Sequence, residues 1–187
     1  NSAKILTKDI SIEKPFKLMG RNIQKRLFIG IGTELLLKSL FLKNDYQVTF
    51  ATTTQKSTNA LNLKSIGVEE VSIKLNDASF DEFVKKLNPK IVIFDRFMIE
   101  EQFGWRVAEN CPNALRILDT EDLHSLRKVR HEAIKKERDF TTNDLLNSDI
   151  AKREIVSILR CDLSLIISTF EMDLLKNIFK IFTFFQL

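Results

Sequence analysis

Short apolar runs alternate with amphipathic stretches along most of the chain. Residues 26–31, RLFIGI, predict a first strand, and Leu36, Leu37, Leu40 and Phe41 predict a helix over 33–42. Residues 47–51 alternate and are β-branched, which predicts a second strand with Thr52, Thr53 and Thr54 at its polar end. A helix over 57–66 is closed by Gly67, placed where a left-handed cap belongs, and 68–75 predict a third strand. Ser79 and Glu82 have the spacing of a capping box for a helix over 80–87, which Asn88 and Pro89 stop. The continuous apolar run at 91–94 reads as a strand covered on both faces. Ile99, Phe103 and Val107 recur every four residues and mark the buried stripe of the next helix.

A turn around Pro112 leads to a fifth strand over 114–118. The helix expected over 124–138 turns Leu126, Val129, Ala133 and Ile134 inward and Arg127, Lys128, Arg130, Lys135, Lys136 and Arg138 outward. Residues 140–147 read as a break, 149–159 as a helix and 162–167 as a sixth strand. Ser168 and Glu171 form a second capping-box pattern ahead of a helix over 170–179.

Six strand-and-helix alternations, each crossover long enough for a right-handed βαβ unit, predict an α/β fold with a doubly wound parallel sheet in a single domain. The expected limits are 26–176, with a poorly specified extension over 1–25 and a divergent tail over 177–187. Composition does not disturb this picture. Of 187 residues 44% are hydrophobic and 29% charged, in the range of globular domains. The net charge of +4 is too small to imply nucleic acid. No apolar run reaches the roughly 20 residues of a membrane span. Cys111 and Cys161 have no metal or disulfide spacing and read as reduced thiols of a cytoplasmic protein.

Candidate chemistry gathers where the strands end. In such a sheet ligands bind outside the carboxyl ends of the strands. That edge should collect Thr52 to Thr54, then Asp95 and Arg96, then Asp119, Thr120, Glu121, Asp122 and His124, then Ser168 and Thr169. Carboxylates and an imidazole there suit general acid/base work, and carboxylates also accept hydrogen bonds from sugar hydroxyls. Each has a plainer role open to it. Asp119 and Asp122 can cap the following helix, Asp95 and Arg96 can be an ion pair, and His124 can simply start a helix. His124 and His131 lie seven apart, which is not a zinc spacing, so no metal is expected. Cys111 has no base partner that would make it a nucleophile. Gly30 and Gly32 after the first strand suit a phosphate cradle or a tight turn, and Leu35 stands where a dinucleotide fingerprint needs its third glycine. The basic helix from His124 to Arg138 suits an anionic acceptor, the headgroups of an acidic membrane, or solvent.

Two blocks, IVIFDRFMIEEQFGWRVAENCPNALRILDTEDLHSLR at 91–127 and NDLLNSDIAKREIVSILRCDLSLIISTFE at 143–171, resemble the acceptor-side half of bacterial GT-B-type retaining glycosyltransferases. The resemblance covers roughly 33–176. It implies a Rossmann-like half that binds a sugar or lipid-linked acceptor, facing a second half that binds a nucleotide sugar. It implies catalytic roles for His124 and Asp119, and substrate contacts for Asp95, Arg96, Glu121 and Asp122. No cofactor beyond the nucleotide-sugar donor is implied. The location would be cytoplasmic, with peripheral contact at the inner membrane face. The sequence departs from the family in the short turn FIGIGTELL after the first strand, and in 1–25 and 177–187. The donor-binding half has no counterpart in these residues, so a truncated product, inactive alone, is expected. A non-catalytic Rossmann-like binding module and a degraded remnant are the alternatives.

Overall fold

Short, largely apolar strands build one sheet with two buried faces. The structure, a computed structural model, describes residues 26–29, 46–54, 62–179 and 184–186. Its strands are β1 (Arg26–Ile29), β2 (Gln47–Thr52), β3 (Val68–Ser72), β4 (Ile91–Asp95), β5 (Leu115–Asp119), β6 (Leu163–Ile166) and β7 (Phe184–Gln186). They lie in the order β3-β2-β1-β4-β5-β6-β7, and every pairing is parallel. Chain direction across the sheet reverses between β1 and β4. That is the switch point at which doubly wound sheets open a crevice. The helix expected over 33–42, the two glycines before it and the first half of the helix expected over 57–66 lie outside the described residues, and the described half of the latter is a 3-10 turn, Leu63–Ile66, not an α-helix.

The described helices are α1 (Ser79–Leu87), α2 (Arg96–Asn110), α3 (His124–Lys135), α4 (Thr142–Leu146), α5 (Asp149–Arg160) and α6 (Thr169–Phe179). They share one core with one face of the sheet. Val92, Phe94, Leu118 and Ile166 from the strands meet Phe80, Phe103, Val107, Leu126, Ile158 and Leu175 from the helices. Side chains alternate along a strand, so Ile91, Ile93, Ile117 and Leu165 face the other way. There they pack with Val48, Val68 and Leu63, the last from a 3-10 turn, Leu63–Ile66. All five residues of β4 are buried, as expected of a central strand covered on both faces.

The local signals held in part. Gly67 has φ 78° and donates its N–H to the carbonyls of Leu63 and Lys64, the left-handed cap expected of it. Asn88, at φ 45°, ends α1 in the same way. The capping box expected of Ser79 does not form. Ser79 is already helical, and its N–H donates to Asp77 Oδ1 at 2.9 Å. The second box forms by half. Glu171 N–H donates to Ser168 Oγ at 3.4 Å, but the Glu171 carboxylate turns away to accept from Leu123 N–H at 3.0 Å.

Four further expectations are corrected. Ile134 is 72% exposed, because it lies about a quarter-turn from Ala133, the last buried position of α3. The break over 140–147 contains α4, started by a true capping box in which Asp144 Oδ2 accepts from Thr141 N–H and Thr141 Oγ1. α3 stops at Lys135 because Glu137 turns left-handed at φ 51°, with Arg138 N–H donating to the Ala133 carbonyl at 3.2 Å, and Arg138 beyond it binds the same Asp144, with Nη1–Oδ2 at 2.8 Å. The stretch over 177–187, set apart as a tail, contributes the end of α6 and β7, whose Phe184 pairs with Ser164.

Candidate functional site

The carboxyl ends of β4 and β5 form the polar edge, because Asp95 and Asp119 are register partners on adjacent strands. Both are last in their strands and nearly buried, 4% and 6% exposed. Beyond each, the chain takes a left-handed turn at a residue other than glycine: Arg96 at φ 68° and Glu121 at φ 55°. Such a conformation costs of order 1–3 kcal/mol for a residue with a Cβ. The two turns are tied to each other. Arg96 Nε donates to Glu121 Oε2 at 2.7 Å, its Nη2 reaches the same oxygen, and this carboxylate raises the guanidinium pKa further. Asp119 Oδ1 accepts from Glu121 N–H at 3.2 Å, holding the turn from beneath. Thr120, which is buried, anchors it to the next strand through Oγ1 to the Leu165 carbonyl at 2.9 Å.

His124 opens α3 one turn further on. Its Nε2 lies 2.8 Å from Arg127 Nη2, and its Nδ1 lies 3.5 Å from Asp122 Oδ1. A guanidinium only donates, so Nε2 accepts and the ring proton sits on Nδ1. Asp122 also binds Arg127 at 2.9 Å, and the ring stands edge-on to Phe97 with centroids 6.0 Å apart. Burial lowers the imidazole pKa first, Arg127 lowers it further, and Asp122 opposes both. Burial and Arg127 thus favour the neutral form of this imidazole.

Asp95, Arg96, Asp119, Glu121, Asp122 and His124 thus occupy one edge. They divide into an Arg96–Glu121 pair over two buried carboxylates and an Asp122–His124–Arg127 group. Thr52 and Thr54 fold onto each other, with Thr54 N–H donating to Thr52 Oγ1 at 3.0 Å, on β2, two strands from β4. Ser168 caps α6. The plainer reading of Asp119 and Asp122 as caps of α3 is corrected by Glu154 of α5. This carboxylate is 2% exposed and accepts from His124 N–H at 2.9 Å, Ser125 N–H at 3.0 Å and Ser125 Oγ at 2.5 Å. Burial raises its pKa, and the bonds from Ser125 and His124 pull it back. The sequence did hold a sign of Glu154: an acid on the apolar stripe of α5, between Ala151 and Ile158.

Among the described residues no group of His, Cys, Asp and Glu is arranged to hold a metal ion. Cys111 is buried with its thiol raised by burial, and burial also drives the Cys161 thiol well upward, so neither is poised as a nucleophile. Among the described residues no helix is long and apolar enough to cross a membrane. No protein-family model matches this chain, and no curated protein matches it.

Proposed function

We propose that this chain is the acceptor-binding half of a GT-B-type retaining glycosyltransferase, which moves a sugar from a nucleotide sugar to a cell-envelope or glycan acceptor. One observation carries the reading. Two strained, non-glycine turns are tied by Arg96 and Glu121 at the strand ends beside the switch point. Strain of this kind persists where the surrounding structure fixes it, and it concentrates at functional sites. Buried Asp95 and Asp119 beneath the pair, with Asp122 beside it, suit a ligand rich in hydroxyls, since ionised carboxylates accept and never donate. Neutral His124 would polarise an acceptor hydroxyl or touch the donor sugar, with Asp119 as the second catalytic group. The donor site belongs to a second Rossmann-like half facing this edge. In this reading the enzyme works in the cytoplasm, and the basic face of α3 rests against anionic headgroups of the inner membrane face.

The test is a titration of the isotope-labelled chain with a series of hexoses and N-acetylhexosamines at millimolar concentration, followed by NMR. Amide shifts confined to 95–96 and 119–124, and lost in Asp119→Ala, support the reading. Shifts elsewhere, or none, reject it. Incubation of the chain alone with UDP-, GDP- and ADP-hexoses should release no nucleotide. Turnover would place a donor site within these residues and overturn the two-half assignment.

A second reading, a non-catalytic Rossmann-like binding module, is favoured by the packing of His124. Its backbone is spent on Glu154 and its ring on Phe97, Asp122 and Arg127. His124→Gln that lowers stability without changing sugar binding would favour the module.

A further inference from the structure

Neither ring nitrogen of His124 is open to a ligand. Nδ1 carries the proton, is buried, and faces Asp122 Oδ1 at 3.5 Å. Nε2 is the nitrogen left to meet a ligand, yet it accepts from Arg127 Nη2 at 2.8 Å. A spacing of three along α3 puts the guanidinium and the imidazole side by side. The same guanidinium holds Asp122 Oδ2 through Nη1 at 2.9 Å, so Asp122, His124 and Arg127 close a ring of three contacts.

The members of this ring differ in freedom. The His124 side chain is 19% exposed and stands against Phe97, and its backbone N–H is held by Glu154. The Arg127 side chain is 59% exposed, and an exposed ion pair contributes little to hold it. Arg127 is therefore the member that moves. Protonation sets the direction. A protonated imidazole donates from both nitrogens, so Nε2–H would face the Nη2 donor, cation against cation. Its charge also competes with Arg127 for Asp122. The other charged groups around the ring offer Nε2 no substitute. Arg96 and Glu121 are paired with each other, Glu154 of α5 is engaged by His124 N–H and by Ser125, and Arg153 of α5 lies over Phe97, 5.6 Å from its centroid.

We infer that Arg127 is a lid over His124: its guanidinium occupies Nε2 while the imidazole is neutral, and protonation of the ring drives it off. The lid stands on the contacts of Asp122, His124 and Arg127 alone. Its meaning for sugar transfer rests on the transferase reading, in which an acceptor hydroxyl reaches Nε2 only after Arg127 has left. Arg127 is then a positioning residue that controls when His124 can act.

The experiment uses the whole chain, whose two histidines make one the control for the other. His131, further along α3, is exposed. Diethylpyrocarbonate acylates a neutral imidazole, and with Nδ1 of His124 buried it must enter at Nε2. At pH 7.5 His124 should be modified about ten-fold more slowly than His131, in proportion to the small open fraction of the lid, as read by peptide mass spectrometry. Arg127→Met, which neither donates nor carries charge, should bring the two rates within about three-fold. Arg127→Lys, which keeps a cationic donor, should restore most of the protection. Thermal melting of both variants shows that they fold. Nitrogen NMR of the wild-type chain adds a readout that needs no variant. The His124 shifts should report the Nδ1–H tautomer at pH 7.5, and the Arg127 side-chain N–H signals should change at the His124 protonation midpoint. Arg127→Met should raise that midpoint, because a neighbouring positive charge and its hold on Asp122 are both lost. A His124 as reactive as His131 in wild type, or equally protected without Arg127, overturns the lid. Arg127 signals indifferent to the His124 midpoint overturn it too. A sugar titration that fails at 95–96 and 119–124 with the lid behaving as expected rejects the transferase reading and leaves the lid. Sugar binding at those residues with His124 unprotected rejects the lid and leaves the reading.

Discussion

Glu154 shows how one side chain buried in the core can hold the start of α3 and the polar edge beside it. Three donors at the start of α3 converge on its buried carboxylate. Removing an acceptor that leaves buried donors unmet costs about 1–3 kcal/mol, and more when the lost partner is charged. Glu154→Ala should therefore destabilise the chain by about 2–4 kcal/mol, with Glu154→Gln costing less, as measured by urea denaturation. A loss within about 0.5 kcal/mol, the range of ordinary surface changes, would remove Glu154 from this role. His124 supplies a pH test. Its folded pKa is lowered, so the unfolded chain binds its proton more readily. Its contribution is complete above the unfolded value of about 6.5 and is lost as pH falls from there through the lower folded value. Glu154 has the opposite sign, its raised pKa costing stability as pH rises through the folded value. Hence the difference in melting temperature between wild type and His124→Gln should shrink between pH 7.5 and pH 5. A flat difference would mean that the imidazole is not held neutral. Residue identities alone showed which acids and bases gather near Asp119. They did not show that a carboxylate thirty positions downstream caps their helix, because that contact depends on how α5 packs on α3.

Elements whose apolar spacing was long and regular were read nearly to the residue, and those set by a few polar contacts were not. In α2, Phe103 and Val107 are buried as their four-residue spacing required. In α3 the stripe is right at Leu126, Val129 and Ala133 and fails at Ile134, where the helix is about to end. That end is made by the left-handed turn at Glu137, which no periodicity encodes. The bond from Arg138 to Asp144 just beyond it accompanies the capping box of α4, a five-residue helix too short to show a period. The two isoleucine and leucine positions of α3 should therefore respond oppositely. Leu126→Ala removes a side chain that is 2% exposed and should cost about 2–5 kcal/mol. Ile134→Lys should leave stability within about 0.5 kcal/mol. Equilibrium unfolding in guanidinium chloride measures both, and a large loss from Ile134→Lys would return that residue to the core.

At the scale of the molecule, strand order gives the polar residues their meaning. The alternation of elements predicted a parallel sheet, but an apolar run at 91–94 does not state its neighbours. Pairing β4 with β1 on one side and β5 on the other puts Asp95 and Asp119 side by side next to the reversal of the sheet. β7 escaped notice because Phe184–Gln186 offers three residues, below the length at which alternation can be seen. The order also ranks the strands by stability. Every residue of β4 is buried, whereas β3 lies at an edge and only Val68 of its five residues is buried. Local opening is easiest where few apolar contacts cover the backbone. Native-state hydrogen exchange should thus find the amides of β4 and the inner part of β5 opening only with global unfolding. Those of β3 should exchange orders of magnitude faster. Since Asp95 and Asp119 terminate two adjacent inner strands, the edge they form would be the rigid side of any cleft, and closure over a ligand would fall to whatever faces it. Fast exchange in β4 would contradict the strand order and, with it, the placement of the crevice.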